Sequence, residues 1–204
     1  MAKLQADKVE QDAVRMVAAL MAASARTAPK ARGADDIQTM VVDGEDLNAI
    51  ANVMEKQVEA HVEGFKATFL RDAQNVRESA CVLLIGCQGM PKGFPDFSEI
   101  PLDCGACGYK SCQQMNKARI REGNDFNGPI CVMQAIDFGI AIGSAVKMAM
   151  DLNIDNRIMY TIGAAVKQMK LMDSDIIMGI PLSVLGKNLF FDRKGGGTRA
   201  LHNK

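Results

Sequence analysis

Residues 81–87 read CVLLIGC, and the architecture follows from them. From Cys81 to Gly86 the chain is an unbroken apolar run closed by glycine, the pattern of a strand buried at the centre of a sheet. On its N-terminal side, Gln5 to Thr27 form an amphipathic helix, with Val9, Ala13, Met16, Val17, Leu20 and Ser24 at helical spacing. Pro29 and Gly33 break the chain, Ile37–Val42 is a short β-branched strand, and Asp43-Gly44 is a turn. A second helix is expected from Asp46, as cap residue, to about Phe65, with Leu47, Ile50, Met54, Val58 and Val62 on one face. On the C-terminal side, Gly89, Pro91, Gly93 and Pro95 mark a loop that continues past Pro101. Helices are then expected over Lys110–Arg121, Val132–Leu152 and Arg157–Lys170, the last behind Asp155 as cap. A buried strand follows over Asp175–Ile180, closed by Pro181, and the tail after Lys194 is expected to be flexible. Helices mixed with buried strands imply an α/β or α+β domain.

The chain has 204 residues, 48% of them hydrophobic and 24% charged, which suits one globular domain with room for a small insertion. Twenty-four basic and 24 acidic residues leave no net charge, so no global pull toward nucleic acid or an anionic membrane is expected. No uncharged run approaches the ~20 residues of a membrane span. The charged start, MAKLQADKVEQD, lacks the apolar core of a secretory signal. These features lead to the expectation of a soluble, cytoplasmic protein.

In that reducing setting the six cysteines point to metal binding or redox chemistry rather than disulfides. Four of them, Cys104, Cys107, Cys112 and Cys131, have the spacing C-x2-C-x4-C-x18-C. Two thiolates three positions apart can face one metal centre. The third stands at the mouth of a helix, and the fourth returns after that helix, so the chain wraps the site. Gly105 and Gly108 allow backbone N–H groups to approach sulfur, a contact that tunes cluster potential. Two readings are open: a [4Fe-4S] cluster, or a structural zinc site with four cysteine ligands. Cys81 and Cys87, at the ends of the apolar strand, are expected to be structural. Lys110, Lys117, Arg119 and Arg121 read as a solvated face. His61 and His202 show no partner pattern.

LDCGACGYKSC followed by Cys131 resembles the small four-iron ferredoxin-type domain of corrinoid iron–sulfur proteins and of membrane redox-complex subunits. That resemblance implies a [4Fe-4S] cluster on Cys104, Cys107, Cys112 and Cys131. SARTAPKARGADDIQTMVVDGEDL, CVLLIGC, AIDFGIAIGSAVKMAMDL and DIIMGIPLS, in that order, resemble segments of flavin-dependent nitroreductases. The whole chain is also similar to an uncharacterised bacterial and archaeal family of ferredoxin-domain proteins. Together these imply an α+β, nitroreductase-like three-layer domain over residues 1–88 and 132–204, with a 4Fe-4S module inserted over residues 89–131.

The nitroreductase resemblance implies FMN at the interface of a homodimer. It makes Arg26, Lys30, Arg32 and Arg193 candidates for the flavin phosphate, with Lys187 beside Arg193. RTAPKAR stands here in place of the usual Arg-Ser-x-Arg pattern. Leu189, Phe190 and Phe191 would suit an exchanged tail. Ala135, Gly139 and Gly143 form a small-residue stripe, open to a flat ring or to tight helix packing. The function expected is electron transfer through the cluster, to or from flavin and an unknown redox partner. The alternatives are a non-catalytic ferredoxin-like carrier or redox sensor, or a zinc-stapled structural protein. No GxGxxG or GxxxxGK[ST] pattern and no catalytic triad is present.

Overall fold

The computed structural model describes residues 3–92, 101–118 and 121–192. Four strands, β1 (Ile37–Asp43), β2 (Cys81–Cys87), β6 (Ile176–Ser183) and β5 (Asp155–Asn156), lie in that order in one sheet, every neighbouring pair antiparallel. As its sequence requires, β2 is an inner strand buried along its whole length. Its side chains alternate between two cores. Cys81, Leu83, Ile85 and Cys87 face α1 (Ala6–Thr27) and α5 (Val132–Asp151), while Val82 and Leu84 face α2 (Glu45–Lys56), α3 (Glu63–Glu78) and α6 (Tyr160–Gln168). The result is an α+β sandwich of three layers with the sheet in the middle. The backbones of α6 and β6 nearly touch: a Cβ on Gly163 would lie 1.8 Å from the Ile177 carbonyl oxygen.

The sequence expectation fails at several boundaries, each for a physical reason. The helix expected over Asp46–Phe65 ends at Lys56, and a 3-10 turn, Gln57–Ala60, and extended His61 and Val62 separate it from α3. Val62, placed on the apolar face by periodicity, is 79% exposed. The His61 ring is held by Asp125, 64 residues away, as well as by the nearby Gln57 carbonyl, so tertiary hydrogen bonding overrides the local pattern. The inward face of α3 carries Asp72 and Asn75, which hides its amphipathic pattern; Asp72 is satisfied by the Thr161 hydroxyl at 2.7 Å. The cap of α2 is Gly44, at φ 60°, rather than Asp46. Asp155 lies in β5, and α6 starts five residues later at Tyr160. Strand β6 runs through Pro181 instead of stopping there. Its outer edge is paired at Gly179 and again at Leu182, so the missing N–H falls in the gap between.

Among the described residues, α5 is the one helix long and apolar enough to cross a membrane. Its inward face packs on α1 and the sheet, and it carries the buried Asp137, bound to Lys92 Nζ at 2.8 Å. Lys92 is itself buried, with Asp36 at 3.2 Å and the Ala34 carbonyl at 2.7 Å as further partners. Removing one partner from such a set leaves an uncompensated charge, so the cluster fixes α5 and the chain before the cysteines in one arrangement.

The cysteine segment has almost no core. Between residues 101 and 131, only Met115 and Cys131 are buried among the described residues. It contains the short helix α4 (Cys112–Lys117), rather than the helix expected over Lys110–Arg121, and a hairpin of β3 (Arg121–Glu122) and β4 (Asn127–Gly128). The hairpin fastens the segment to the body. Asn127 N–H donates to the Asp175 carbonyl at 3.0 Å, and Phe126 meets Tyr160 edge to face at 5.2 Å.

Asp125 is the third tie. Its Oδ2 accepts from His61 Nε2 at 3.1 Å and from the Tyr160 hydroxyl. His61 Nδ1 stands 2.8 Å from the Gln57 carbonyl. Both ring nitrogens face acceptors, so both donate only in the imidazolium form. Burial opposes that charge, but the Gln57 carbonyl and Asp125 outweigh it, and the His61 pKa is raised from 6.5. A raised folded-state pKa stabilises fully below the unfolded value and ceases to do so as pH rises through the folded value. Hydrogen exchange at Asp125–Asn127 should therefore show protection that is high near pH 6 and falls toward alkaline pH after correction for intrinsic exchange. His61→Gln should remove that extra pH dependence; an unchanged profile in the variant would contradict the assignment.

Candidate metal centre

Four cysteine side chains from separate stretches of the chain line one cavity. Cys104, Cys107, Cys112 and Cys131 line one small pocket together with Pro91, Tyr109 and Met115. The local chemistry explains how they meet. Gly105 at φ 73° and Gly108 at φ 85°, with Gly108 N–H donating to the Gly105 carbonyl at 2.9 Å, make the tight turn that carries Cys107. Asp103 Oδ1 accepts from Cys112 N–H at 2.7 Å and so brings the first stretch to the start of α4. Ser111 caps that helix, its Oγ accepting from Gln114 N–H at 3.2 Å, and Gln114 Oε1 accepts in turn from Lys110 N–H. Cys131 is the N-cap residue of α5, and its N–H donates to the Gly89 carbonyl at 2.9 Å. Three candidate ligands thus belong to the coreless segment and the fourth to the body.

The donor set fits a thiolate-bound centre. Cys104 is exposed, Cys107 and Cys112 are half-buried, and Cys131 is 8% exposed, so one edge of the cavity reaches solvent. All six cysteines are free thiols. Among the described residues, no three His, Cys, Asp or Glu side chains are gathered tightly enough to grip a single ion. Cys81 and Cys87 are of a different kind: both are fully buried, and burial pushes their thiols up to about 12. Their place in the sheet core matches the structural role expected of them.

The expected phosphate residues are only partly brought together. Lys30 Nζ donates to the carbonyls of Ala25 at 3.0 Å, Arg26 at 2.6 Å and Ala28 at 2.9 Å, closing the end of α1. An ammonium has three donors, so none is left for a phosphate. Arg26 Nη1 is bound to Asp35 at 2.5 Å and to the Ile37 carbonyl at 2.9 Å, while its side chain is half exposed. Arg32 adopts φ 60° in the turn that follows α1. Arg193 and His202 lie outside the described residues, as does Arg119.

Of the residues expected to suit an exchanged tail, Phe190 is buried and Leu189 packs against the α2–α3–α6 core, while Phe191 is 60% exposed. Asn188 Oδ1, accepting from the N–H groups of Phe190 and Phe191, turns the chain back onto its own body. The Ala135, Gly139 and Gly143 stripe is the reverse case. All three are exposed, and a Cβ on either glycine would meet nothing within 4 Å, so the stripe makes no tight packing inside the chain. The anchoring role of Asp103 escaped the sequence reading, as did the Ser111 cap, although Ser111 followed three residues later by Gln114 is a capping pattern. His61 and Asp125 are 64 residues apart, and no local signal links them.

Comparison with known proteins agrees with these features. The chain is 46% identical over 184 residues to an uncharacterized protein of Archaeoglobus fulgidus, spanning 90% of this chain and 94% of that one. Among solved structures, a BluB-like flavoprotein from Clostridium difficile 630 is 12% identical, with a TM-score of 0.52 over 98% of this chain and 87% of the other. A variant of the FMN and NADPH-dependent nitroreductase NfnB from a Sphingopyxis strain is 13% identical, with a TM-score of 0.52 over 88% of this chain and 83% of the other. At such identities these structures establish the nitroreductase fold and nothing further. Residues 127–193 match the family described as an uncharacterized protein containing a ferredoxin domain, a segment that includes Cys131 but begins after the other three cysteines. The chain is thus a member of that ferredoxin-domain family (DUF2148), with a nitroreductase-like body.

Proposed function

We propose that this protein is a redox protein that holds a [4Fe-4S] cluster on Cys104, Cys107, Cys112 and Cys131 and exchanges electrons through it. The observation that carries the reading is that the four cysteines spaced C-x2-C-x4-C-x18-C line one pocket. When bound, such a cluster supplies one-electron transfer. The chain's own residues do the rest. Cys131 ties the centre to α5, Asp103 and the Ser111 cap hold Cys112 in place, and Met115 and Pro91 exclude water from the inner side. The exposed Cys104 edge leaves a short route to a redox partner.

The proposal extends to FMN at an interface between two copies of the chain. The support is the fold, together with the FMN dependence of the NfnB nitroreductase that shares it. Lys30 does not fit the phosphate, because its donors are spent on carbonyls. Arg26 fits better, since Nε and Nη2 remain available on an exposed guanidinium, whose planar fork suits phosphate. The support for a homodimer is the outer face of α1 and α5. Val9, Met16 and Leu20 on α1 are exposed, as are Ile136 and Ile140 beside the small-residue stripe on α5. Large exposed apolar patches mark interaction surfaces.

Two measurements test the reading. In anaerobically prepared protein, Cys112→Ser should lose most of its iron, while Cys81→Ser should keep the parent's content. Equal loss in both would mean the ligands are misassigned. In sedimentation, the parent should run as a dimer and Gly139→Glu as a monomer, because a charged side chain would enter a face that accepts only small groups. A parent that is monomeric at micromolar concentration would contradict the dimer.

A further inference from the structure

Asp175 immediately precedes β6, and it bonds to three separate stretches of chain. Its N–H donates to the Cys87 carbonyl at 3.0 Å, which fixes it at the end of β2. Its carbonyl accepts from the Asn127 N–H at 3.0 Å, and its Oδ1 accepts from Asn127 Nδ2 at 3.2 Å. Its Oδ2 accepts from the Gly89 N–H at 2.8 Å. Asp175 and Gly89 are both buried, so water is poorly placed to replace either partner of that bond.

Two threads run from this carboxylate to Cys131. Gly89, held by Oδ2, accepts the Cys131 N–H on its own carbonyl at 2.9 Å. Asn127, held by Oδ1, stands four residues before Cys131 on the strand that leads to it. Between the threads there is no slack. A Cβ on Gly89 would lie 2.5 Å from Ile130 Cδ1 and 3.3 Å from the Pro129 carbonyl oxygen. Cys112, by contrast, is placed from within the cysteine segment, by Asp103. The distance between that segment and Cys131 is therefore set where the hairpin meets the body, and Asp175 stands at that junction.

We propose that Asp175 is a positioning residue for the candidate centre. By holding Gly89 and Asn127 at once, it sets Cys131 where its sulfur and the other three can share one cluster. The part that concerns the cluster rests on the function proposed above; the placement of Cys131 does not. A carboxylate suits this position because both of its oxygens must accept. An asparagine there has one acceptor, for Gly89, and one donor, which needs an acceptor at position 127 in return. The contact is thus directional, and exchanging the two residues reverses its direction while keeping its geometry.

The test compares the parent, Asn127→Asp, and the double variant Asn127→Asp with Asp175→Asn, all prepared without oxygen at neutral pH. The single change sets one carboxylate against another. It should release iron to ferrozine severalfold faster than the parent. Its Gly89 and Cys131 amides should lose protection from hydrogen exchange while those of β2 keep theirs. The double variant should recover slow release and protection at both amides, a rescue that a general loss of stability would not give. The inference is overturned if the single variant protects Gly89 and Cys131 like the parent, if β2 loses protection with them, or if the double variant recovers nothing. Changed exchange with iron release unchanged across the three proteins would leave the cluster standing and overturn the positioning role. A parent without iron would sink the cluster, and the exchange pattern would still decide whether Asp175 places Cys131.

Discussion

The segment that carries Cys104, Cys107 and Cys112 cannot hold its shape by burial alone. Among its described residues before Cys131, one methionine is the segment's share of the interior. Elements this small ordinarily need a covalent or metal staple, and the four cysteines around one pocket are where the proposed centre would supply it. With three of them in the segment and the fourth at the start of α5, that centre would both close the segment on itself and join it to the main body. Stability of the segment and possession of the centre would then be one property, as in other small metal-dependent units.

The body answers a different requirement. A strand buried on both faces must be covered on both, and the helices on either side of β2 provide that cover. Two of the ties between body and segment have different chemistry. Lys92 Nζ is a buried ammonium held by Asp36, Asp137 and the Ala34 carbonyl. The His61–Asp125 pair depends on the protonation of an imidazole whose pKa is raised from 6.5 by the Gln57 carbonyl and Asp125.

Much of this was legible in the sequence, and the failures share a cause. CVLLIGC gave away the inner strand because a two-sided apolar environment leaves no room for alternation. The ends of α1, β1 and α5 followed from breakers and periodicity that act locally. The four cysteines stood out by their spacing, and the fold brings them to the lining of one pocket. What stayed hidden depends on partners far along the chain. Val62 continued an apolar stripe that His61 had already broken by bonding to Asp125. The inner face of α3 looked polar because Asp72, buried on it, meets the Thr161 hydroxyl only after folding. Lys30 looked like a phosphate ligand because a sequence cannot disclose that three carbonyls at the end of α1 use all its donors. The stripe at Ala135, Gly139 and Gly143 read naturally as internal packing, and it faces outward.

The most direct test of the central claim is the elemental content of native protein prepared without oxygen. The account predicts about four iron and four acid-labile sulfide per chain, as a four-iron centre requires, with charge-transfer absorption that bleaches on reduction. One zinc per chain, with neither iron nor sulfide, would contradict it.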